Sequence, residues 1–229
     1  MTRFNGILLF GPPSAGKGTV GKALAREPPI FHYIASGDLV RTILSEGKKA
    51  TAPAEIRKKS ELIHSYIDNG ILIPDEVIVP IFKEAVVHRA ETRQYNPDKE
   101  VLLIDGMYRT PAQARMLEDS INLLEVYNFT NVPNCKILER SRGRARKEVM
   151  EGRSPRTDDT DKAMMRRIDE FFKITYPTLD YFVEKNIPLH CVDALPEEHI
   201  VIASVRNYVH SKITGYLCRK SIEPPYGSD

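Results

Sequence analysis

Two sets of residues in this chain are typed and spaced for work on phosphate groups. One is a glycine-bounded loop with a lysine near its end; the other is a series of arginines further along. Gly11-Pro12-Pro13-Ser14-Ala15-Gly16-Lys17-Gly18-Thr19 follows the apolar run Ile7-Leu8-Leu9-Phe10 and precedes Val20, Ala23 and Leu24 at helical spacing. Glycines at both ends let the backbone curl until several N–H groups converge on one anion, and the helix behind the loop presents its positive N-terminal end to the same point. Lys17 adds a full positive charge at the outer phosphates. The strand before and the helix after separate this string from a generic glycine turn. A Ser or Thr directly after the lysine would ligate Mg²⁺ itself; here Gly18 intervenes before Thr19. The expectation is therefore magnesium held by phosphates and water, with Asp38 and Asp105 orienting that water.

The elements that must carry these residues alternate between strand and helix. Strand candidates are Ile7–Phe10, Phe31–Ile34, Val101–Ile104, Tyr127–Val132 and Leu189–Val192. The unbroken apolar run at 101–104 is typical of a parallel strand buried on both faces. Helical faces are marked by Leu39, Val40, Ile43 and Leu44, with Gly47 as a stop, and by Val77, Ile78, Ile81, Phe82 and Ala85 after Pro74-Asp75-Glu76. Met164, Met165, Ile168, Phe171 and Phe172 mark one face of a late helix. Between them, Lys48–Asn69 is polar and lysine-rich with a thin stripe of Ile56, Ile63 and Ile67, as in a small peripheral helix ended by Gly70. The alternation predicts an α/β fold with a parallel five-stranded sheet flanked by helices. The tail beyond Gly215 reads as loosely held.

Composition excludes several classes. At 229 residues with 41% hydrophobic and 28% charged residues, the chain is an ordinary globular one. A formal net charge of +2 argues against a broad nucleic-acid surface. Cys135, Cys191 and Cys218 stand far apart with no C-x-x-C pair, so neither a disulfide framework nor a zinc site is expected. No apolar stretch is long enough to span a bilayer and the run at 6–10 is too short for a signal peptide, which points to the cytoplasm. No sizeable apolar stripe is left unassigned, which points to a monomer.

Three further stretches narrow the chemistry. Ala35-Ser36-Gly37-Asp38-Leu39-Val40-Arg41 resembles the (S/T)-(T/A)-G-D-L-L-R segment of adenylate kinases and their relatives. Asp105-Gly106-Met107-Tyr108-Arg109-Thr110 with Gln113 resembles their D-G-F-P-R-T…Q segment, and Arg153-Ser154-Pro155-Arg156-Thr157-Asp158-Asp159 with Arg167 is similar to their R-x-D-D…R segment. The pieces occur in family order from the loop to about Pro177. The resemblance implies a P-loop NTPase fold organised as a core (1–35, 70–143, 158–214), a small helical acceptor-binding arm (36–69), a short lid (144–157) and a tail (215–229).

The same resemblance implies roles. Gly11, Ser14, Ala15, Gly16, Lys17, Gly18, Thr19, Arg140 and Arg144 would hold ATP. Ser36, Arg41, Ile71, Leu72, Ile73, Gly106, Met107, Tyr108, Arg109, Gln113, Arg156 and Arg167 would hold the monophosphate. Lys17, Arg109, Arg144, Arg156 and Arg167 would serve the transfer, and Asp38 and Asp105 would orient water on Mg²⁺. Arginine's planar fork suits phosphate. A solvated helix face or a nucleic-acid patch is the alternative for Arg140, Arg142, Arg144 and Arg146, the patch weakened by Glu139, Glu148 and Glu151, and solvent exposure is the alternative for Arg166 and Arg167. In the family Ser36 and Gln113 face the base of the acceptor, and a carboxamide matches one edge of adenine. Gln113 also reads as the N3 residue of a helix capped by Thr110 and started by Pro111. The implied reaction is ATP + AMP to 2 ADP. A CMP, UMP or other monophosphate acceptor, or a nucleotide-sensing protein on the same fold, stays open at this point.

Two departures are visible. Met107-Tyr108 replaces Phe-Pro, so the loop before Arg109 is expected to take a trans route and to set Arg109 differently. Ser14 replaces a glycine, which tests whether that position needs positive φ.

Overall fold

The computed structural model describes residues 3–26, 30–68, 72–152 and 160–220, the side chains of 68 and 210–220 excepted. Five parallel strands form one sheet in the order β2-β3-β1-β4-β5, with β1 Phe4–Phe10, β2 Phe31–Ala35, β3 Val101–Asp105, β4 Ile121–Asn128 and β5 Leu189–Cys191. The helices are α1 Lys17–Leu24, α2 Ser36–Gly47, α3 Ala54–Asp68, α4 Asp75–Glu91, α5 Pro111–Leu117, α6 Asn134–Met150, α7 Asp161–Glu170, α8 Thr178–Glu184 and α9 Glu198–Lys220, with a π-helical turn at Phe171–Thr175 between α7 and α8.

Alternate residues of the central strands feed opposite faces. Ile7, Leu9, Val101 and Leu103 join Val20 and Leu24 of α1, Met164 and Ile168 of α7, and Val201, Val205 and Val209 of α9. Leu8, Phe10, Leu102 and Ile104 join Ile78 and Phe82 of α4, Leu117 of α5 and Phe182 of α8. Continuous apolar strands follow directly, because a sheet covered on both sides has no solvent face to alternate with. Every strand is parallel, so every C-terminal end lies along one edge, where Gly11 and Gly106 begin the loops that leave β1 and β3 and Ser36 begins the helix that follows β2 directly. Ligands of open α/β sheets bind at this edge, where the strand order reverses.

α2 and α3 pack against each other as a helical pair. Gly47 is the last residue of α2 rather than a residue beyond it, and an added Cβ there would lie 2.3 Å from Cβ of Ser60 on α3. Close helix contact is its structural use. Ile63 is fully buried, whereas Ile67 is exposed.

Three expectations differ from the structure. The fourth strand starts at Ile121, not near Tyr127, and ends before Phe129. Asn122 and Glu125 interrupt its apolar pattern, and both find partners: Asn122 Nδ2 donates to Asn5 Oδ1 of β1 at 2.8 Å, and Glu125 accepts from the Tyr127 hydroxyl at 2.9 Å. Phe172 is exposed rather than inward, because the buried positions continue as Phe171, Thr175 and Thr178 through the π turn. The backbone stays helical past Gly215 to Lys220.

Candidate active site

A cleft of about 1840 Å³ opens along the C-terminal edge of the sheet. It is lined by Gly11, Ser14 to Thr19, Ser36, Asp38, Arg41, Leu72, Ile73, Asp105, Gly106, Met107, Arg109, Gln113, Arg140, Arg144 and Arg167. Most of the residues singled out by type and motif therefore share one space. Ile71 and Arg156 lie outside the described residues. Tyr108 is the exception among the rest: its side chain is 2% exposed and packs away from the cleft, its ring 5.9 Å from that of Phe182.

The loop after β1 is shaped by its backbone. Ser14 adopts φ +57, so the position that carries glycine in the resembling segment does need a left-handed residue. The Ser14 hydroxyl is buried without a hydrogen-bond partner among the described residues. Lys17 folds back and donates from Nζ to the carbonyls of Gly11 at 2.8 Å and Pro12 at 2.7 Å. Burial lowers the Lys17 pKa, Asp105 opposes that shift, and Arg109, Arg167 and Arg144 reinforce it. Arg140 reaches from α6 to the same loop, donating to Ala15 O at 3.0 Å and to Ala194 O beyond β5.

The loop after β3 is the second centre. Among the described residues no peptide bond is cis, and Tyr108 takes φ +59. With its side chain anchored in the core, the chain turns without proline. Gly106 sits at φ +80, and an added Cβ would meet Ser36 Oγ at 2.5 Å, so glycine is required there. Its carbonyl accepts from Ser36 Oγ at 2.8 Å and from Arg109 Nε at 2.9 Å. Arg109 is thus held at the cleft floor. Burial, then the Arg167 charge, pushes its guanidinium pKa down.

Gln113 is both a cap-region residue and a buried amide. Thr110 Oγ1 accepts from Gln113 N at 2.9 Å, which is the N-cap of α5. The Gln113 side chain, 2% exposed, accepts from the backbone N–H of Arg109 at 2.9 Å and donates to Asp75 Oδ1 at 2.8 Å. Asp75 has no motif of its own; only its place at a helix start marked it in the sequence.

The two acidic candidates differ. Asp105 accepts from the Tyr33 hydroxyl at 2.9 Å, a contact no sequence pattern announced. Asp38 pairs with Arg41 and lies 3.8 Å from Lys22, so its carboxylate steadies cations at the start of α2. Among the described residues no group of three His, Cys, Asp or Glu side chains is placed to hold a metal. Oxygen donors of this kind, few and beside a phosphate loop, fit magnesium that brings its own water and phosphate ligands rather than a protein cage.

On α6 the arginines divide. Arg140 and Arg144, four residues apart, face the cleft, while Arg142 is exposed and pairs with Asp161 at the start of α7. Arg146 is exposed. Sequence reasoning also missed the segment Ala194 to Glu198, which forms the far wall of the cleft beside Arg140.

The chain matches a family model described as adenylate kinase over residues 9–187. It is similar to an adenylate kinase of Clostridium beijerinckii, 33% identical over 206 residues that cover 79% of this chain and 88% of the relative. An adenylate kinase of Deinococcus radiodurans is 28% identical over 198 residues, covering 84% and 91%. Adenylate kinase isoenzyme 5 of Mus musculus is 32% identical over 207 residues, covering 90% of this chain and 33% of that protein.

Proposed function

Because the chain belongs to the adenylate kinase family and is an ATP-binding phosphotransferase of that family, we propose that its reaction is reversible transfer of the γ-phosphoryl of ATP-Mg²⁺ to AMP, giving two ADP. The observation that carries this reading is that Lys17, Arg109, Arg144 and Arg167 all line one cleft at the C-terminal edge of the sheet. Four cations lining one cleft, with Asp105 among them, are suited to two phosphate tails.

In this reading the loop from Gly11 to Thr19 holds the donor phosphates, with Arg140 and Arg144 over them. Arg41 and Arg109 hold the acceptor phosphate, and Ser36, Leu72, Ile73, Gly106, Met107 and Gln113 line its nucleoside side. Arg167 stands between the two, and Ile71 and Arg156 belong to the same proposal by position in the chain. Magnesium, when bound, neutralises charge on the donor phosphates; Asp105, fixed by Tyr33, orients its water, and Asp38 supports Arg41. An oxygen of the AMP phosphate forms the new bond to γ-phosphorus as the bond to the β–γ bridging oxygen breaks. No side chain becomes covalently bonded. The cations hold the reacting oxygens in line and balance charge on the transferred group. Closure of a lid over 144–157 and of the arm over 36–69 would exclude water as a competing acceptor. A monomer acting in the cytoplasm completes the proposal, and the exposed thiols of Cys135 and Cys191 suit a reducing compartment.

The test is a panel of AMP, CMP, UMP and GMP with ATP-Mg²⁺, read as ADP formed. AMP is expected to give the highest kcat/KM. Arg109→Ala is expected to lower kcat/KM for AMP by about a thousandfold while ATP affinity changes little. Turnover of CMP or UMP without AMP removes the acceptor assignment, and wild-type rates in Arg109→Ala remove the role given to that arginine.

A further inference from the structure

The carboxylate of Asp75 has no part in the transfer as proposed, yet it is held by two residues of the acceptor side. It accepts from Gln113 Nε2 at 2.8 Å through one oxygen and from Thr110 Oγ1 at 2.5 Å through the other. Asp75 stands in the first turn of α4, where an acidic side chain meets the positive end of the helix. Resting on the reading of AMP as acceptor, we infer that Asp75 is a positioning residue that sets the handedness of the Gln113 amide and so makes the site select a 6-aminopurine over a 6-oxopurine.

The reasoning is a matter of donors and acceptors. A carboxylate only accepts, so it can face only the nitrogen end of the amide. The backbone N–H of Arg109, 2.9 Å from Gln113 Oε1, only donates, so it can face only the oxygen end. Both neighbours enforce one orientation, and a flipped amide would set donor against donor and acceptor against acceptor in a nearly solvent-free place. After these two bonds the amide keeps one N–H and one oxygen lone pair, side by side in a fixed order. Adenine offers an amino donor beside a ring-nitrogen acceptor. Hypoxanthine offers a carbonyl acceptor beside an N–H donor, the reverse order on the same edge. Rejecting a base by leaving buried polar groups mismatched is an effective form of selection.

Thr110 separates positioning from folding. Its hydroxyl caps α5 through Gln113 N and also donates to Asp75, but it does not touch the amide. Loss of that hydroxyl weakens the helix start while leaving both neighbours of the amide in place.

The experiment compares kcat/KM for AMP and IMP, with ATP-Mg²⁺ as donor, in wild type, Asp75→Asn and Thr110→Val, and measures melting temperature and ATP binding for each. An asparagine at 75 can donate or accept, so it no longer forbids the flipped amide. The AMP:IMP ratio is expected to fall about tenfold in Asp75→Asn, carried mainly by KM. In Thr110→Val the melting temperature is expected to fall with the ratio within about twofold of wild type. If Asp75→Asn fails to bind ATP, Asp75→Ser, too short to reach Gln113, replaces it with the same fall expected. An unchanged ratio in the variant that binds ATP overturns the inference while the proposed reaction stands. A wild-type enzyme that phosphorylates another monophosphate and not AMP overturns both.

Discussion

Ser14→Gly should stabilise the nucleotide-free protein while weakening its hold on ATP. Ser14 occupies the left-handed region at φ +57, where an L-residue other than glycine costs roughly 1–2 kcal/mol. Its hydroxyl is buried without a partner, and an unsatisfied buried polar group costs about 1 kcal/mol or more. Glycine removes both but adds freedom to the unfolded chain, a loss of about 0.5–1 kcal/mol. The balance is a gain of about 1–2 kcal/mol, which for a chain of this length raises Tm by roughly 2–8 °C. The assay is thermal or urea unfolding without nucleotide, beside Ser14→Ala. The alanine variant keeps the strain and loses the hydroxyl, so it should gain only the hydroxyl's share, about 1 kcal/mol. Because Ser14 lines the cleft, the missing hydroxyl is also one fewer donor to phosphate, and ATP affinity should fall about fivefold, equivalent to roughly 1 kcal/mol. Unfolding of Ser14→Gly at a lower temperature than wild type, in the absence of nucleotide, would refute the strain reasoning.

Two further outcomes follow from buried partners. Tyr33→Phe removes the donor to Asp105 and should raise the Mg²⁺ concentration for half-maximal rate by about tenfold, with calorimetric ATP binding in the absence of Mg²⁺ unchanged; an unaltered Mg²⁺ titration would refute the link. Burial, then Arg89, with Glu100 opposing, lowers the His32 pKa below its ordinary 6.5, so the folded chain resists a proton that the unfolded chain accepts. Stability should therefore fall as pH drops through and below 6.5, and His32→Gln should flatten that part of a urea-midpoint-versus-pH curve.

What the sequence made legible was whatever repeats a strong local rule. The runs at 7–10 and 101–104 announce doubly covered strands, and the lysine loop announces its own backbone shape. Ile121–Val126 was hidden because Asn122 and Glu125 break its apolar pattern, and their satisfaction depends on Asn5, more than a hundred residues away, and on Tyr127. Val201, Val205 and Val209 recur at helical spacing and mark α9 once looked for, so that helix was available to the same method. Tyr33 and Asp75 were not. Each gains its role from one tertiary contact, across 72 residues to Asp105 and across 38 residues to Gln113. Tyr108 erred the other way: its neighbours in the motif line the cleft, but positive φ turns its side chain into the core.

That division has an energetic counterpart. The fold is held by two apolar faces of the sheet, whereas the cleft gathers charges that oppose one another. Lys17 is made less basic by burial and by Arg109, Arg167 and Arg144, and Arg109 is made less basic by burial and by Arg167, with Asp105 working against both shifts. Lys17 donates to the carbonyls of Gly11 and Pro12, and Arg109 to that of Gly106, dipoles that partly offset the mutual repulsion. Phosphate oxygens carry full charges and accept the same donors more strongly. Binding therefore relieves a cost already built into the folded chain, and the relief is greatest where charge on the phosphate oxygens is densest. A cluster that is unfavourable in isolation is for that reason well placed to favour the charge distribution of phosphoryl transfer over that of either separated nucleotide.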